Sequence, residues 1–242
     1  MAERIERQPA FVLHERAYRE TSALLELFTR DLGRVAVVAR GLRAAKPRFP
    51  RGSLRAGQPI ECGLLLRGEL GQLTAAEPAG LPRVLAGLHL QTALYLNELL
   101  ARLLERHDPH PVLFDAYTNL LGSMPDDRDA LGFALRRFES LLLGEIGYGI
   151  DFGVDASSGA AVVADARYRV IAEHGVVAAP PLDLDAVPGA ALLALQSGRQ
   201  PEAEALRSLR RMMRGLLLHH LGGRGLNAWR VLRAPASPAD PG

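Results

Sequence analysis

Arginine dominates the groups in this sequence that could do chemistry. Of 29 basic residues, 28 are arginine and one is Lys46. A guanidinium fork pairs bidentately with phosphate or carboxylate. These cations fall in two blocks. Residues 32–60 hold seven (Arg34, Arg40, Arg43, Lys46, Arg48, Arg51, Arg55) and no acid. Residues 205–239 hold seven more (Arg207, Arg210, Arg211, Arg214, Arg224, Arg230, Arg233), again with no acid. The intervening residues 78–204 hold nine arginines and seventeen acids. The net charge is only +2, so it is the asymmetry that points to a polyanion partner. A GC-rich coding bias accounts equally for the arginine and the abundant alanine. On composition alone, a solvated face and a nucleic-acid-binding face stand level.

Catalytic chemistry finds little support. No GxSxG, GxxxxGK[ST] or HExxH occurs. Gly147-Tyr148-Gly149 with Gly153 has nearly the spacing of a dinucleotide fingerprint, but it is off by one residue and follows a helical pattern. It reads as a helix C-cap and turn. Glu15, Glu20 and Glu26 are not paired within any predicted element. Cys62 is the only cysteine, which excludes an intramolecular disulfide and a cysteine-rich zinc site. Its apolar run, Ile60 to Leu66, makes it a small buried hydrophobe. His219 and His220 are adjacent, so on a helix they point about 100° apart and should not share one metal. His107 and His110 flank a proline turn around Asp108 and read as a surface loop. The expectation is a protein that is no enzyme, with no catalytic residue, cofactor or metal.

These groups must be held by a fold, and the hydrophobic pattern outlines one. The 242 residues are 48% hydrophobic and 23% charged, enough for a core and one or two domains. No apolar run is long enough to cross a membrane. The first seven residues are mixed in charge with no apolar stretch after them, so a cytoplasmic protein is expected. Five short runs read as strands: 10–14, 22–29, 34–40, 59–66 and 71–77. Asp31-Leu32-Gly33 is a hairpin turn with glycine where positive φ is needed. Residues 41–58 read as a long loop. Residues 81–146 repeat their apolar positions at helical spacing. A helix starts at Pro125-Asp126-Asp127, with acids in its first turn as the helix dipole prefers and Leu131, Leu135, Phe138 and Leu142 as its inward line. Ala160–Ala164 and Arg169–Ala172 read as a hairpin around Asp165-Ala166-Arg167. Residues 202–221 form an amphipathic helix with Leu206, Leu209, Met213, Leu216 and Leu217 inward and Arg207, Arg210, Arg211 and Arg214 on another face.

Several of these segments, taken in order, resemble a known family. They are Phe11-Val12-Leu13-His14, Tyr18-Arg19-Glu20-Thr21-Ser22, Gly33-Arg34-Val35, Val38-Ala39-Arg40-Gly41, Leu94 to Leu100, Leu135 to Glu139, Gly147-Tyr148-Gly149 and Leu221 to Arg224. The chain is similar to the bacterial DNA-repair family RecO over nearly its whole length. The resemblance implies an α+β fold. A five-stranded OB-fold barrel (1–79) binds nucleic acid, and a helical bundle domain (80–233) carries an inserted hairpin at about 150–185. Residues 234–242 read as a disordered tail. Many family members carry a four-cysteine zinc module after the GYG turn. Residues 151–159 here have no cysteine, so the chain resembles a zinc-free branch whose hairpin holds by packing alone.

The resemblance further implies a recombination mediator. Such a protein binds single- and double-stranded DNA and anneals complementary strands. With RecR it helps RecA load on DNA coated by single-stranded DNA-binding protein (SSB). The DNA contacts fall to Arg34, Arg40, Arg43, Lys46, Arg48, Arg51 and Arg55, with Arg207, Arg210, Arg211 and Arg214. Phe49 and Tyr18 are the candidate stacking residues. Few aromatics and many arginines suit backbone contact without base readout. The acidic C-terminal tail of SSB should dock on the helical part, at an apolar pocket rimmed by Arg136 and Arg137. Nucleoid association follows from the same role. The alternative is an adaptor whose basic faces bind acidic proteins, with DNA contact incidental. Nothing in the residues separates DNA from RNA.

Overall fold

The computed structural model describes residues 3–50, 52–81, 83–180 and 182–231, with side chains as far as Trp229. Arg51, Arg233 and the 234–242 tail lie outside the described residues. The chain divides into two compact units, Met1–Phe114 with Gly225–Gly242, and Asp115–Arg224.

The first unit is built on five strands, β1 (Glu3–Tyr18), β2 (Ser22–Thr29), β3 (Gly33–Ala39), β4 (Ile60–Leu66) and β5 (Leu70–Pro78). They close into a barrel in the order β1-β2-β3-β5-β4. The β3–β5 pair is parallel and all others are antiparallel. That order and mix of directions is the OB-fold. β1 is far longer than the expected 10–14 run. Its register slips between Ile5 and Gln8 and again between Val12 and His14. These irregularities bend it, so its first half pairs with β4 and its second with β2. Its ends, such as Glu3-Arg4 and Glu15-Arg16, show solvent no apolar face, so periodicity cannot reveal them.

Alternate residues of the strands fill the barrel, among them Val12, Leu25, Leu27, Val35, Val37, Ile60, Leu64 and Leu73. β2 is also covered on its outer side. There Phe28 meets Phe114, at the start of α2 (Pro111–Gly122), with ring centroids 5.3 Å apart. Phe11 meets the same ring at 5.4 Å. α1 (Gly87–Leu103) adds Asn97, whose Nδ2 donates to Val12 O at 3.1 Å. Gly33 turns the β2–β3 hairpin with φ +66, and a Cβ there would stand 2.0 Å from the Asp108 carbonyl oxygen. Only glycine fits both constraints. α6 (Ala228–Val231) returns to this unit, the amides of Asn227 just before it and of Ala228 donating to the Glu98 carboxylate.

Cys62 is buried in the barrel wall, its thiol donating to Gln8 O at 3.3 Å. Burial, and less so the Glu61 charge, pushes its pKa up to about 12. The thiolate is the reactive form. A thiol-specific disulfide reagent at pH 8 should therefore leave the folded protein unlabelled and modify one thiol per chain in urea. Rapid labelling without denaturant would contradict this burial.

The second unit packs the rest of α2 with α3 (Arg128–Glu145), α4 (Gly189–Ser197) and α5 (Ala203–His220). α3 begins at Arg128, after the Asp126-Asp127 pair expected in its first turn, and Asp127 is its N-cap, its Oδ1 accepting from Ala130 N at 2.7 Å. The apolar line of α5 is buried as expected. The inner face of α3 differs from expectation. Leu135 is half-buried, while Arg136 and Glu139 are buried and ion-paired to each other. The small sheet, order β7-β6-β8, comprises β6 (Arg167–Ile171), β7 (Gly175–Ala178) and β8 (Val187–Pro188). Its hairpin turns at Ala172-Glu173-His174, not at Asp165-Ala166-Arg167. Residues 160–164 form no named strand and only the bridge Val154↔Ala161. Nor is the cysteine-free stretch held by packing alone. Asp155 accepts from the amides of Ser157 (2.8 Å) and Ser158 (3.3 Å). The Ser157 bond foremost holds the Asp155 carboxyl below the usual carboxylate range.

Candidate nucleic-acid interface

Three turns of the barrel build one basic cleft. The β1–β2 turn supplies Tyr18 and Arg19, the end of β3 supplies Arg40 and Gly41, and the β4–β5 turn supplies Arg67. The volume between them is about 670 Å³, and no acid lines it. Gly71, on its floor, permits the close approach. A Cβ there would meet Leu66 Cδ2 at 2.8 Å and Leu65 O at 3.2 Å. Arg19 sits at φ +56, and its guanidinium lies 5.2 Å from the centre of the Tyr18 ring. Arg19, Arg40 and Arg67 are all exposed, and none pairs with an acid among the described residues. The nearby acid Glu69 faces Arg106 at 3.8 Å. Three arginines without acidic partners among the described residues thus stand beside a half-buried aromatic ring.

The residues marked out from sequence distribute unevenly around this cleft. Arg40 is in it. Arg43 is beside it, because its amide donates to Thr21 O in the β1–β2 turn at 2.9 Å. Lys46 is exposed on the same loop. Arg48 is exposed but tied back, donating to Thr74 O at 3.1 Å and lying 5.8 Å from the Phe49 ring centre. Arg55 is exposed and folds over its own turn, near Gly52. Arg34 is taken up internally. It donates to Leu104 O and to Glu26 Oε2, both at 3.0 Å, while Arg106 holds the other Glu26 oxygen. Arg34 is thus a strut between the barrel and the end of α1. Phe49 is 4% exposed and plugs the barrel core, so it offers no stacking surface. Tyr18 remains available.

Arg19 and Arg67 were missed because both lie outside the acid-free basic blocks, each closely followed by an acid, as Arg19-Glu20 and Arg67-Gly68-Glu69. The usable signal was topological. In an OB barrel the β1–β2 and β4–β5 turns flank the strand-binding face, and each carries one of these arginines.

In the second unit Arg207, Arg210 and Arg211 are exposed along α5, and Arg214 is half-buried. Arg137 is exposed, its guanidinium close to Gly198. Arg136 is not on the flank of α3 but buried against Glu139. Of the two adjacent histidines, His219 is exposed and His220 half-buried. His219, His220 and Glu173 bring one ligand atom each to within 4.8 Å of one another. The angle between Cβ directions on a helix does not limit two imidazoles at its last residues. Burial first, then the neighbouring His219, holds the His220 pKa below its ordinary value.

A closed OB barrel with an arginine cleft at its β1–β2 and β4–β5 turns defines an OB-fold protein. The comparisons with known proteins make this particular. Residues 1–81 match the family described as "Recombination protein O N terminal", and residues 89–230 match "Recombination protein O C terminal". The chain is 42% identical over 233 residues to the DNA repair protein RecO of Xanthomonas campestris pv. campestris, covering 94% of this chain and 96% of that one. It is 43% identical over 237 residues to the RecO of Azoarcus sp., covering 96% of each. The RecO of Aromatoleum aromaticum is 41% identical over 233 residues, again covering 96% of each. The chain belongs to the RecO family, and its role lies in DNA repair and recombination. No helix among the described residues is long and apolar enough to cross a membrane.

Proposed function

We propose that the protein is a non-enzymatic recombination mediator that binds DNA backbones in the barrel cleft. It takes up single- and double-stranded DNA without base readout and anneals complementary strands. With RecR, it helps RecA load on DNA coated by SSB, and it works at the nucleoid. The observation that carries this reading is the cleft itself: Arg19, Arg40 and Arg67 without acidic partners around Tyr18. Guanidinium groups without base-reading partners favour affinity without sequence preference, which annealing of arbitrary strands requires. The SSB tail docks on the second unit. Its terminal carboxylate pairs with Arg137 or the arginine face of α5, since Arg136 is already paired.

The second reading, an adaptor for acidic proteins, is supported by the exposed α5 arginines in a unit separate from the barrel. One experiment separates the two. Complementary oligonucleotides coated with SSB are mixed with the protein, and annealing is followed by fluorescence across a salt series. The mediator reading expects faster annealing of coated strands and a log DNA affinity that falls linearly with log salt. Absence of both DNA binding and annealing at low salt, with the SSB tail still bound, would establish the adaptor instead.

A further inference from the structure

Three segments of the second unit converge at the C-terminal end of α5. The first is the β6–β7 turn, where Glu173 takes φ +62. The second is the last turn of α5, His219 and His220. The third is the GYG turn, whose Tyr148 ring lies against His220 with centroids 4.1 Å apart. His219 Nε2 already stands 3.2 Å from Glu173 Oε1. The two imidazoles meet edge to face at 5.1 Å. We propose that Glu173, His219 and His220 form a mononuclear site for a divalent transition metal of the zinc class, which fastens the β6–β7 hairpin to α5.

The chemistry suits that ion. Two imidazoles and one carboxylate form a borderline-soft donor set that favours zinc-like ions over magnesium or calcium. Zinc takes three protein ligands and leaves the fourth position to water, as an exposed site permits. Bonds of about 2.0–2.1 Å in a tetrahedron place donor atoms about 3.4 Å apart. The Glu173–His219 pair stands at 3.2 Å, near that spacing, and the His220 ligand atom lies within 4.8 Å of both. Electrostatics favours a cation too. The C-terminal end of α5 carries the negative end of the helix dipole, and the Glu173 carboxylate adds a charge beside it. The backbone at Glu173 supports the same assignment. A glycine would hold this positive-φ turn freely, whereas glutamate holds it under strain with its carboxylate at the helix end.

The test uses untagged full-length protein, stripped with chelator and returned to metal-free buffer. Zinc chloride is titrated in by calorimetry, and thermal unfolding is followed with and without zinc. One zinc per chain is expected, with a melting temperature that rises on zinc addition and no competition from excess magnesium. Glu173→Gln and His219→Gln should each weaken zinc at least about tenfold, the scale on which even an outer-shell partner acts. Both side chains are exposed, so the zinc-free variants should melt as wild type does, and circular dichroism checks this. His174→Gln, next to the cluster but outside it, should bind zinc normally. Failure of wild type to bind one zinc, or equal zinc affinity in Glu173→Gln and His219→Gln, would overturn the site.

Discussion

Reversing Arg19, Arg40 and Arg67 to glutamate should cost about a hundredfold in single-stranded DNA affinity at physiological salt. Each phosphate contact adds about 0.7 to the slope of log affinity against log salt on single strands. Three lost contacts should therefore flatten that slope by about 2. They also remove roughly 50-fold in affinity at 0.15 M salt, and the new acids add repulsion. The loss should be uniform across oligonucleotide sequences, because these arginines face a cleft and not a paired base edge. The triple reversal Arg43, Lys46 and Arg48 provides the comparison. Arg43 and Lys46 are exposed on the loop beside the cleft, but Arg48 is committed to Thr74 and Phe49. Its slope change should be smaller, nearer two contacts than three. Arg34→Ala should behave differently again. It removes the strut between Glu26 and Leu104, so it should lower stability while leaving the salt slope unchanged. If the cleft triple binds as wild type does, with its circular dichroism intact, the cleft is not the DNA site.

The contrast among these arginines shows what sequence could and could not supply. The barrel was legible because β2 to β5 are short apolar runs bounded by turn residues, and the Asp31-Leu32-Gly33 turn carries its own glycine. β1 was legible only over its consecutive buried residues, Ala10 to Leu13, because the exposed stretches on either side carry no apolar run. A window count then found arginine-rich blocks, but a block is linear and the cleft is not. It takes single residues from three turns, two of them flanked by acids. Charge counting also cannot tell a free arginine from a strut, and Arg34 was counted with the rest. The β6–β7 turn was misplaced for a related reason. Its positive-φ residue is Glu173, and nothing in a glutamate announces a left-handed backbone. The nearness of Glu173 to the histidine pair is not legible either, because the β6–β7 hairpin that carries it is remote in sequence from the end of α5.

The buried pair on α3 sets the second large expectation. Glu139 is 0% exposed and Arg136 is 8% exposed, and they bond at i, i+3 on one helix face. A buried ion pair adds little over apolar residues of the same size, but breaking it is costly because one charge is left behind. Arg136→Ala should therefore destabilise the protein by about 3–5 kcal/mol in urea unfolding. Glu139→Ala should cost a similar amount, leaving the guanidinium buried instead. The double variant Arg136→Met, Glu139→Leu should return to within about 1 kcal/mol of wild type, since it removes both charges and refills the space. This non-additivity is the signature of the pair, and simple loss of packing would not produce it. It also decides how the SSB tail should be tested. Arg136→Glu would bury two carboxylates side by side, so any loss of peptide binding there would report on folding. Arg137→Glu is the clean variant, because Arg137 is exposed on the same helix. It should keep wild-type stability and, if the tail docks at α3, lose the tail peptide in fluorescence anisotropy. Unchanged peptide binding in a stable Arg137→Glu would move the receptor to the arginines of α5. A cost below about 1 kcal/mol for Arg136→Ala would show that Glu139 does not depend on its partner, and the case against Arg136 as a docking residue would fall with it.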